Sequence, residues 1–384
     1  MSRKFDAVVA GGSVAGLAFA AEAAKRGISV LVAEEHQEIG EPEKCDGLVS
    51  LRGLRRFGFA PRRDVVQNEI ASGVFHSPNG KEVAANATAL DVVVLDRSEY
   101  DKQIAERAES WGAVIVRGTR VRGHLEKGQG VEVDLGGETV EARYYIDATG
   151  PTSAPRRGIL PAAKYEIEAD WLRERSVEVF LDAVKYPGFF AWVIPYAPGR
   201  AKVGVAGRGI NSFAALDEFL STRPHRLLRR VPAPIYIGGP TAAFVKGRRV
   251  LVGESAGQVK PTTAGGIMTS IAGAVLAARW VSDSVQLKDP DQLTRYQQDW
   301  NARFLKEMKS MLRLRGVFER LSNDDIDSLL SVVATPKLLS KLSQTDFDFH
   351  ASALMGTLGV GGLLRIARLL ASAGARALLT GGGD

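Results

Sequence analysis

Cys45 is the only cysteine in 384 residues, in the segment Gly40-Glu41-Pro42-Glu43-Lys44-Cys45-Asp46-Gly47-Leu48-Val49-Ser50. A thiol of ordinary pKa (~8.5) keeps its proton at neutrality, so this one can serve as a weak acid. Alone, it can form neither an intrachain disulfide nor a cysteine-rich metal or iron–sulfur site, and no metal centre is expected. The segment Pro187-Gly188-Phe189-Phe190-Ala191-Trp192-Val193-Ile194-Pro195 supplies a run of aromatic and apolar walls. An aromatic face can also stabilise positive charge developing beside it. A weak acid beside dry, aromatic walls suits proton transfer to a substrate shielded from water.

The elements that would position these residues begin at the N-terminus. Phe5-Asp6-Ala7-Val8-Val9-Ala10 reads as a buried strand, followed by Gly11-Gly12-Ser13-Val14-Ala15-Gly16 and an alanine-rich helix to about Arg26. Gly27 closes that helix, and Ile28 to Ala33 reads as a second strand ending at Glu34 and Glu35. Strand, glycine turn, helix, strand and an acid ~20 residues on form the dinucleotide fingerprint. Gly11, Ser13, Ala15 and Gly16 let the backbone approach a pyrophosphate at the helix N-terminus, and Glu34 would accept the ribose hydroxyls. Ser13 stands where the motif has its second glycine.

Further segments separate a flavin from a nicotinamide. Leu95-Asp96-Arg97 opens a helix through Ala108, and Gly112 to Val116 reads as a strand. Arg143 to Asp147 is a strand ending in an Asp-Ala-Thr-Gly turn, and Arg248 to Val252 is another, leading into Gly253-Glu254-Ser255-Ala256-Gly257. Pro261-Thr262-Thr263-Ala264-Gly265-Gly266-Ile267 then starts a long helix. This order resembles the flavoprotein hydroxylase superfamily over roughly residues 3–280. The resemblance implies bound FAD, with Glu254 where the family places an aspartate near the ribityl chain. It places Gly265, Gly266 and Ile267 at the electron-rich edge of the flavin, where amide dipoles stabilise the reduced form. It adds Arg97, Val121, Cys45, Asp46, Gly47 and Leu48 to the cofactor contacts.

Within that superfamily, the Cys45 segment looks like the PxxCxGxxS segment of geranylgeranyl reductases. Pro187 to Pro195 resembles their PxxYxWxFP substrate motif, with Phe190 for Tyr and Ile194 for Phe, and Val252 to Pro261 is similar to their last flavin segment. The resemblance is to the archaeal digeranylgeranylglycerophospholipid type. It implies saturation of isoprenoid double bonds in membrane-lipid precursors by reduced FAD, with Pro187, Phe190, Trp192, Ile194 and Pro195 touching substrate and Cys45 as the candidate acid. Both substitutions dry the pocket, and Phe190 lacks the hydroxyl of the family tyrosine. Two simpler readings stay open. Cys45 could pack against the flavin while water or flavin supplies the proton, and Trp192 could be sheet core.

The expected fold is α/β, a Rossmann-like FAD-binding domain with an inserted antiparallel-sheet substrate domain and a helical C-terminal region. Residues 1–65, 95–158 and 246–290 are assigned to the first, 66–94 and 159–245 to the second, and 291–384 to the third. Strand-like alternation, as in Ser176 to Leu181 and Ala201 to Ala206, marks the sheet domain. Asp291 to Gly316 reads as one amphipathic helix, with Trp300, Phe304, Met308, Met311 and Leu312 on its apolar side. Gly361 to Leu379 is rich in Leu and Arg without acids, which suits a helix on an anionic bilayer, a docking helix or a dimer contact.

Composition is that of a soluble globular chain, at 45% hydrophobic and 24% charged residues. Its net charge of +6 describes either a solvated surface or attraction to an anionic partner such as a phospholipid surface or acidic electron carrier. No nucleic-acid motif is evident, and none is expected to bind. Met1-Ser2-Arg3-Lys4 runs directly into a strand pattern without a signal-type segment, and no apolar run spans a bilayer. The chain is therefore expected in the cytoplasm, peripheral on the inner face of the membrane. No second glycine-rich strand–turn–helix is present, so NADPH or reduced ferredoxin would dock transiently as external reductant. Rival readings are a prenylquinone-tail reductase, a flavin monooxygenase or halogenase (Trp192 to Pro195 echoes the halogenase WxWxIP motif), a quinone-linked dehydrogenase, which would need cluster cysteines, and a non-catalytic flavin-binding protein.

Overall fold

A computed structural model describes residues 4–335, 339–340 and 346–348. Its first layer is an eight-stranded sheet with five parallel strands in the order Arg249–Leu251, Thr139–Asp147, Lys4–Ala10, Val30–Ala33 and Val114–Val116, to which Val245–Lys246, Gly130–Asp134 and Gly123–Lys127 add antiparallel pairings. Val30–Ala33 is buried on both faces, which explains its unbroken apolar run. The helix Val14–Lys25 crosses this sheet and packs between the helices Ile267–Leu287 and Arg97–Ser110. It is buried nearly all round, and alanine is the residue that lets three helices approach so closely.

The second layer is a seven-stranded sheet in the order Arg226–Pro232, Ala162–Glu168, Arg200–Ala206, Ala191–Ala197, Ser176–Phe180, Ser72–His76 and Glu82–Asn86. It is antiparallel except where Ser176–Phe180 runs parallel to Ser72–His76. One face packs Tyr165, Ile167, Val193 and Val203 under the helix Ser212–Leu220. That helix interrupts a stretch whose alternation reads as strand. Its start is set by Asn211, whose side chain accepts from the Ala214 N–H. The other face carries Phe189, Trp192 and Ile194.

A small three-stranded sheet, Leu48–Ser50, Val92–Leu95 and Val66–Glu69, joins the two layers. Within residues 66–94, then, only the hairpin Ser72–His76 and Glu82–Asn86 belongs to the large sheet; the flanking strands belong to the joint. At the C-terminal side, Thr294–Trp300 and Lys306–Phe318 are linked by a π-helical turn, Asn301–Leu305. Trp300, Phe304, Met308 and Met311 form its buried stripe. The Leu/Arg-rich segment Gly361 to Leu379 lies outside the described residues.

Candidate active site

The dinucleotide turn has the geometry that a bound pyrophosphate requires. Gly11 adopts φ +104°, and a Cβ there would lie 2.5 Å from the Ala148 carbonyl oxygen. A Cβ on Gly16 would lie 2.0 Å from the Gly11 carbonyl oxygen, so neither position accepts a side chain. Ser13 sits at the N-cap of Val14–Lys25 without capping it; its hydroxyl instead donates to Asp101 at 3.0 Å. The first-turn N–H groups thus have no side-chain acceptor, as an anion site demands. Ala15 is buried in that first turn. Glu34 stands at the end of Val30–Ala33 and accepts from the Gly12 N–H at 2.6 Å and the His36 N–H at 2.9 Å. Thr119 donates its N–H to the Glu34 carbonyl, which brings the Val121 segment alongside.

A second uncapped helix start is built at Ile267–Leu287, with Gly266 as its N-cap. Ala264 takes a left-handed φ of +55°, and a Cβ on Gly265 would meet Lys260 Cε at 2.7 Å. Two glycine cradles, two uncapped helix starts and an acid beside the first fit FAD. Glu254 follows Gly253 in a one-turn 3₁₀ helix. Burial pushes its carboxyl up to about 7, opposed by Arg97 and Lys44.

The Cys45 turn is held from three sides. Gly47 has φ +80°, and a Cβ there would collide with the Leu95 carbonyl oxygen at 2.2 Å, so the turn sits directly on the strand leading to Arg97. The Leu95 N–H donates to the Gly47 carbonyl at 3.0 Å. Leu48 pairs with Val94 in the joining sheet. Arg97 is buried, pairs with Asp101 at 2.9 Å and interacts with the Cys45 side chain. Burial works against its charge, yet Asp101 and Cys45 more than offset this and hold the guanidinium firmly protonated. Its Nε has no hydrogen-bond partner.

From the sheet side, Lys164 donates to the carbonyls of Glu43 and Cys45 at 2.9 and 3.2 Å. Lys202 pairs with the Glu43 carboxylate. Both lysines are fully or almost fully buried, at 0% and 2% exposure. Trp192 donates its indole N–H to Asp46 Oδ2 at 2.8 Å, while Asp46 Oδ1 has no partner. Burial pushes the Asp46 carboxyl up, with Lys164, Lys202 and the Trp192 bond pulling the other way. Phe189 and Phe190 stack at 4.0 Å, and each meets Trp192 edge-on. Phe190, Trp192 and Ile194 share one apolar cluster with Leu48 and with Ala264 of the glycine loop. Pro187 and Pro195 flank this wall; the Pro187 carbonyl accepts from Arg208 N–H and the Pro195 carbonyl from Asn68.

Sequence reasoning missed Glu43, Asp101, Lys164 and Lys202. In Ala162–Glu168 and Arg200–Ala206, the lysines alternate with apolar residues, a pattern that normally marks a solvent face. Alternation shows that Lys164 and Glu166 share a face, but not that the Cys45 turn covers it. Arg315 also escaped notice. It is buried on Lys306–Phe318 and donates to the carbonyls of Pro261 and Gly188 at 3.2 and 2.7 Å, tying the glycine-loop segment to the Pro187 segment. Burial lowers its pKa to about 10.

Residues 4–220 match the FAD binding domain family. A digeranylgeranylglycerophospholipid reductase of Methanopyrus kandleri is 31% identical over 369 residues, spanning 88% of this chain and 92% of that one. This chain belongs to the digeranylgeranylglycerophospholipid reductase family. The Methanocaldococcus jannaschii reductase of the same name is 28% identical, with 85% and 89% of the two chains aligned. A geranylgeranyl bacteriochlorophyll reductase-like protein of Thermoplasma acidophilum shares the fold at TM-score 0.86 and 22% identity, covering 97% of this chain and 99% of that one. The flavin-dependent brominase Bmp2 shares it more distantly, at TM-score 0.68 and 15% identity over 97% and 100% of the chains. Membership of this family brings the expected FAD and the expected α/β architecture together on one chain.

Proposed function

We infer that the protein is an FAD-dependent oxidoreductase that saturates geranylgeranyl double bonds in membrane-lipid precursors. The observation that carries this reading, beyond family membership, is the placement of Cys45. The turn bearing the only thiol is pinned by buried lysines beside Arg97 and next to the Phe190–Trp192 wall.

A trisubstituted alkene needs a proton as well as a hydride. Bound reduced FAD supplies the hydride. Cys45 supplies the proton to one alkene carbon, and the S–H bond breaks as the C–H bond forms. Arg97 faces the sulfur and compensates the negative charge left there until solvent returns a proton. Trp192, Phe189 and Phe190 exclude water, with Phe189 backing Phe190 from behind, and the Phe190 and Trp192 rings would stabilise positive charge building on the more substituted carbon. Lys164 keeps the Cys45 backbone in place through its bond to the Cys45 carbonyl.

Gly11, Ser13, Ala15, Gly16, Glu34 and Val121 would hold the adenosine and pyrophosphate half of FAD. Asp46, Gly47, Leu48, Arg97, Glu254, Gly265, Gly266 and Ile267 would hold the flavin half, and Pro187, Ile194 and Pro195 would shape the prenyl channel. NADPH or reduced ferredoxin would serve as the external reductant in a transient encounter, and the charge of +6 supports an acidic carrier. The lipid substrate favours action at the inner face of the cell membrane. Among the described residues no helix is long and apolar enough to cross a membrane, which suits peripheral attachment.

The test is anaerobic. Photoreduced enzyme mixed with a geranylgeranyl phospholipid should have its flavin reoxidised by the lipid, as read from flavin absorbance. Cys45→Ala should keep FAD and slow that reoxidation by ~100-fold, the scale of one lost acid catalyst. Reoxidation only when oxygen is admitted would refute the reductase reading, and an unchanged rate in Cys45→Ala would refute the thiol's role.

A further inference from the structure

A cleft of about 550 Å³ is lined by Leu51 and Arg55 of the helix Leu51–Arg56, by Ala60, Pro61 and Arg63, by the strand Val66–Glu69 and by Arg175. Three arginines line it, Arg55, Arg63 and Arg175, against one carboxylate, Glu69. Arg55 is held by Asp91 at 2.8 Å, and Arg175 lies 3.7 Å from Glu69. Arg63 has no carboxylate partner among the described residues. Arg175 also donates its Nε–H to the Glu69 carbonyl at 3.3 Å, so the cleft's uncompensated positive charge is that of Arg63, and a guanidinium fork matches phosphate oxygens.

The cleft is joined to the aromatic wall. Asn68, on its floor, donates to the Pro195 carbonyl at 2.8 Å and to the Glu174 carbonyl at 2.6 Å. Pro195 lies three residues from Trp192 along one extended strand, roughly 10 Å. On the other side, Leu51 follows directly on Leu48–Ser50, the strand that leaves the Cys45 turn. The volume falls within the range of about 300–1,000 Å³ typical of small-molecule sites.

We propose that this cleft binds the phosphate-bearing headgroup of the lipid substrate, with Arg63 and Arg175 on the phosphate and the prenyl chain running toward Trp192. This rests on the reading of the protein as a prenyl-lipid reductase. The anion charge sets the lipid's register, so that the double bonds nearest the headgroup come to Cys45 in a defined order. Binding and orientation are the cleft's whole contribution; the chemistry stays at Cys45.

The experiment compares wild type with Arg63→Gln/Arg175→Gln on two substrates in detergent micelles, digeranylgeranylglyceryl phosphate and the same diether alcohol without phosphate. The double variant should raise KM for the phosphate lipid about tenfold or more, the scale of one lost charge-assisted hydrogen bond, with kcat and the alcohol's KM unchanged. Inorganic phosphate should compete with the phosphate lipid in wild type and lose that effect in the variant. An unchanged KM for the phosphate lipid, an equal loss on both lipids, or phosphate competition that survives in the variant would each overturn the site. Failure of wild type to reduce either lipid would overturn the reductase reading itself, and the headgroup site with it.

Discussion

Gly204→Ala is the smallest change that should disable the aromatic wall. Gly204 lies opposite Trp192 on the neighbouring strand. A Cβ there would sit 2.2 Å from Trp192 Cζ2, 2.4 Å from Cε2 and 2.8 Å from Nε1. Ordinary contact begins near 3.4 Å, so the indole must retreat by about 1 Å. That motion stretches the 2.8 Å bond from Trp192 Nε1 to Asp46 beyond hydrogen-bond range. Asp46 Oδ1 already has no partner, so the buried carboxyl would lose its one neutral donor. Overpacking costs about 1–3 kcal/mol, and the orphaned group about 1–3 kcal/mol. Replacing glycine within a strand returns about 0.5–1 kcal/mol. The net is a loss of roughly 1–5 kcal/mol. With ~2.1 cal/mol/K of unfolding entropy per residue, a chain of this length should lose about 1–7 °C in Tm. Scanning calorimetry of the FAD-loaded protein measures it, and alkene reduction should fall while FAD stays bound. In a Trp192→Ala background there is no ring to strike, so Gly204→Ala should become neutral or mildly stabilising. A single variant within 0.5 °C of wild type, or a cycle without coupling, would refute the reasoning.

Two further predictions concern buried acids. Asp147 is buried and accepts from the Thr149 N–H at 3.1 Å, from Ser153 at 2.9 Å and from Arg249. Burial would raise its pKa, but the Thr149 and Arg249 bonds prevail and hold it below the ordinary 3.8. That stabilisation is present above pH 3.8 and is lost as pH falls through the lower folded value. Arg249→Met leaves the carboxylate uncompensated and should cost about 3–5 kcal/mol at neutral pH, with the acid-unfolding midpoint moved to higher pH; denaturant titration at several pH values reads both. Glu254 behaves in the opposite sense. Its folded value of about 7 exceeds the ordinary 4.5, so the fold holds a proton that the unfolded chain releases. Stability of the flavin-free protein should decline between pH 4.5 and 7 and level off above. Glu254→Gln should remove that decline and gain ~1–2 kcal/mol at pH 8, a figure discounted for the partial solvent access of the side chain; an unaltered pH profile in the variant would refute the assignment.

The FAD-binding half was legible because its physics is local. The Lys4–Ala10 strand, the glycine turn and the alanine helix each follow from neighbouring residues, and their order brings Glu34 to the turn. The Cys45 segment carried its chemistry in residue type alone. What surrounds Cys45 depends on partners more than a hundred residues away: Lys164 reaches across 119 positions and Trp192 across 146. Alternation could place Lys164 and Lys202 on one face of a sheet, yet only the docking of the two layers turns that face inward. Gly204 is similarly silent in sequence, since its purpose lies in the Trp192 ring on the adjacent strand. The helix Ser212–Leu220 does announce itself locally, with Phe213, Leu216, Phe219 and Leu220 at helical spacing behind the Asn211 cap, but the alternating strands on either side of it masked that signal.

Saturation of a prenyl double bond with a proton from Cys45 and a hydride from reduced flavin adds two mass units to the lipid. Mass spectrometry of a geranylgeranyl phospholipid after anaerobic incubation with reduced enzyme reads that gain. Wild type should add two mass units for each double bond saturated, and Cys45→Ala little or none over the same time. A lipid of unchanged mass with wild-type enzyme, or one that gains oxygen only in air, would contradict it.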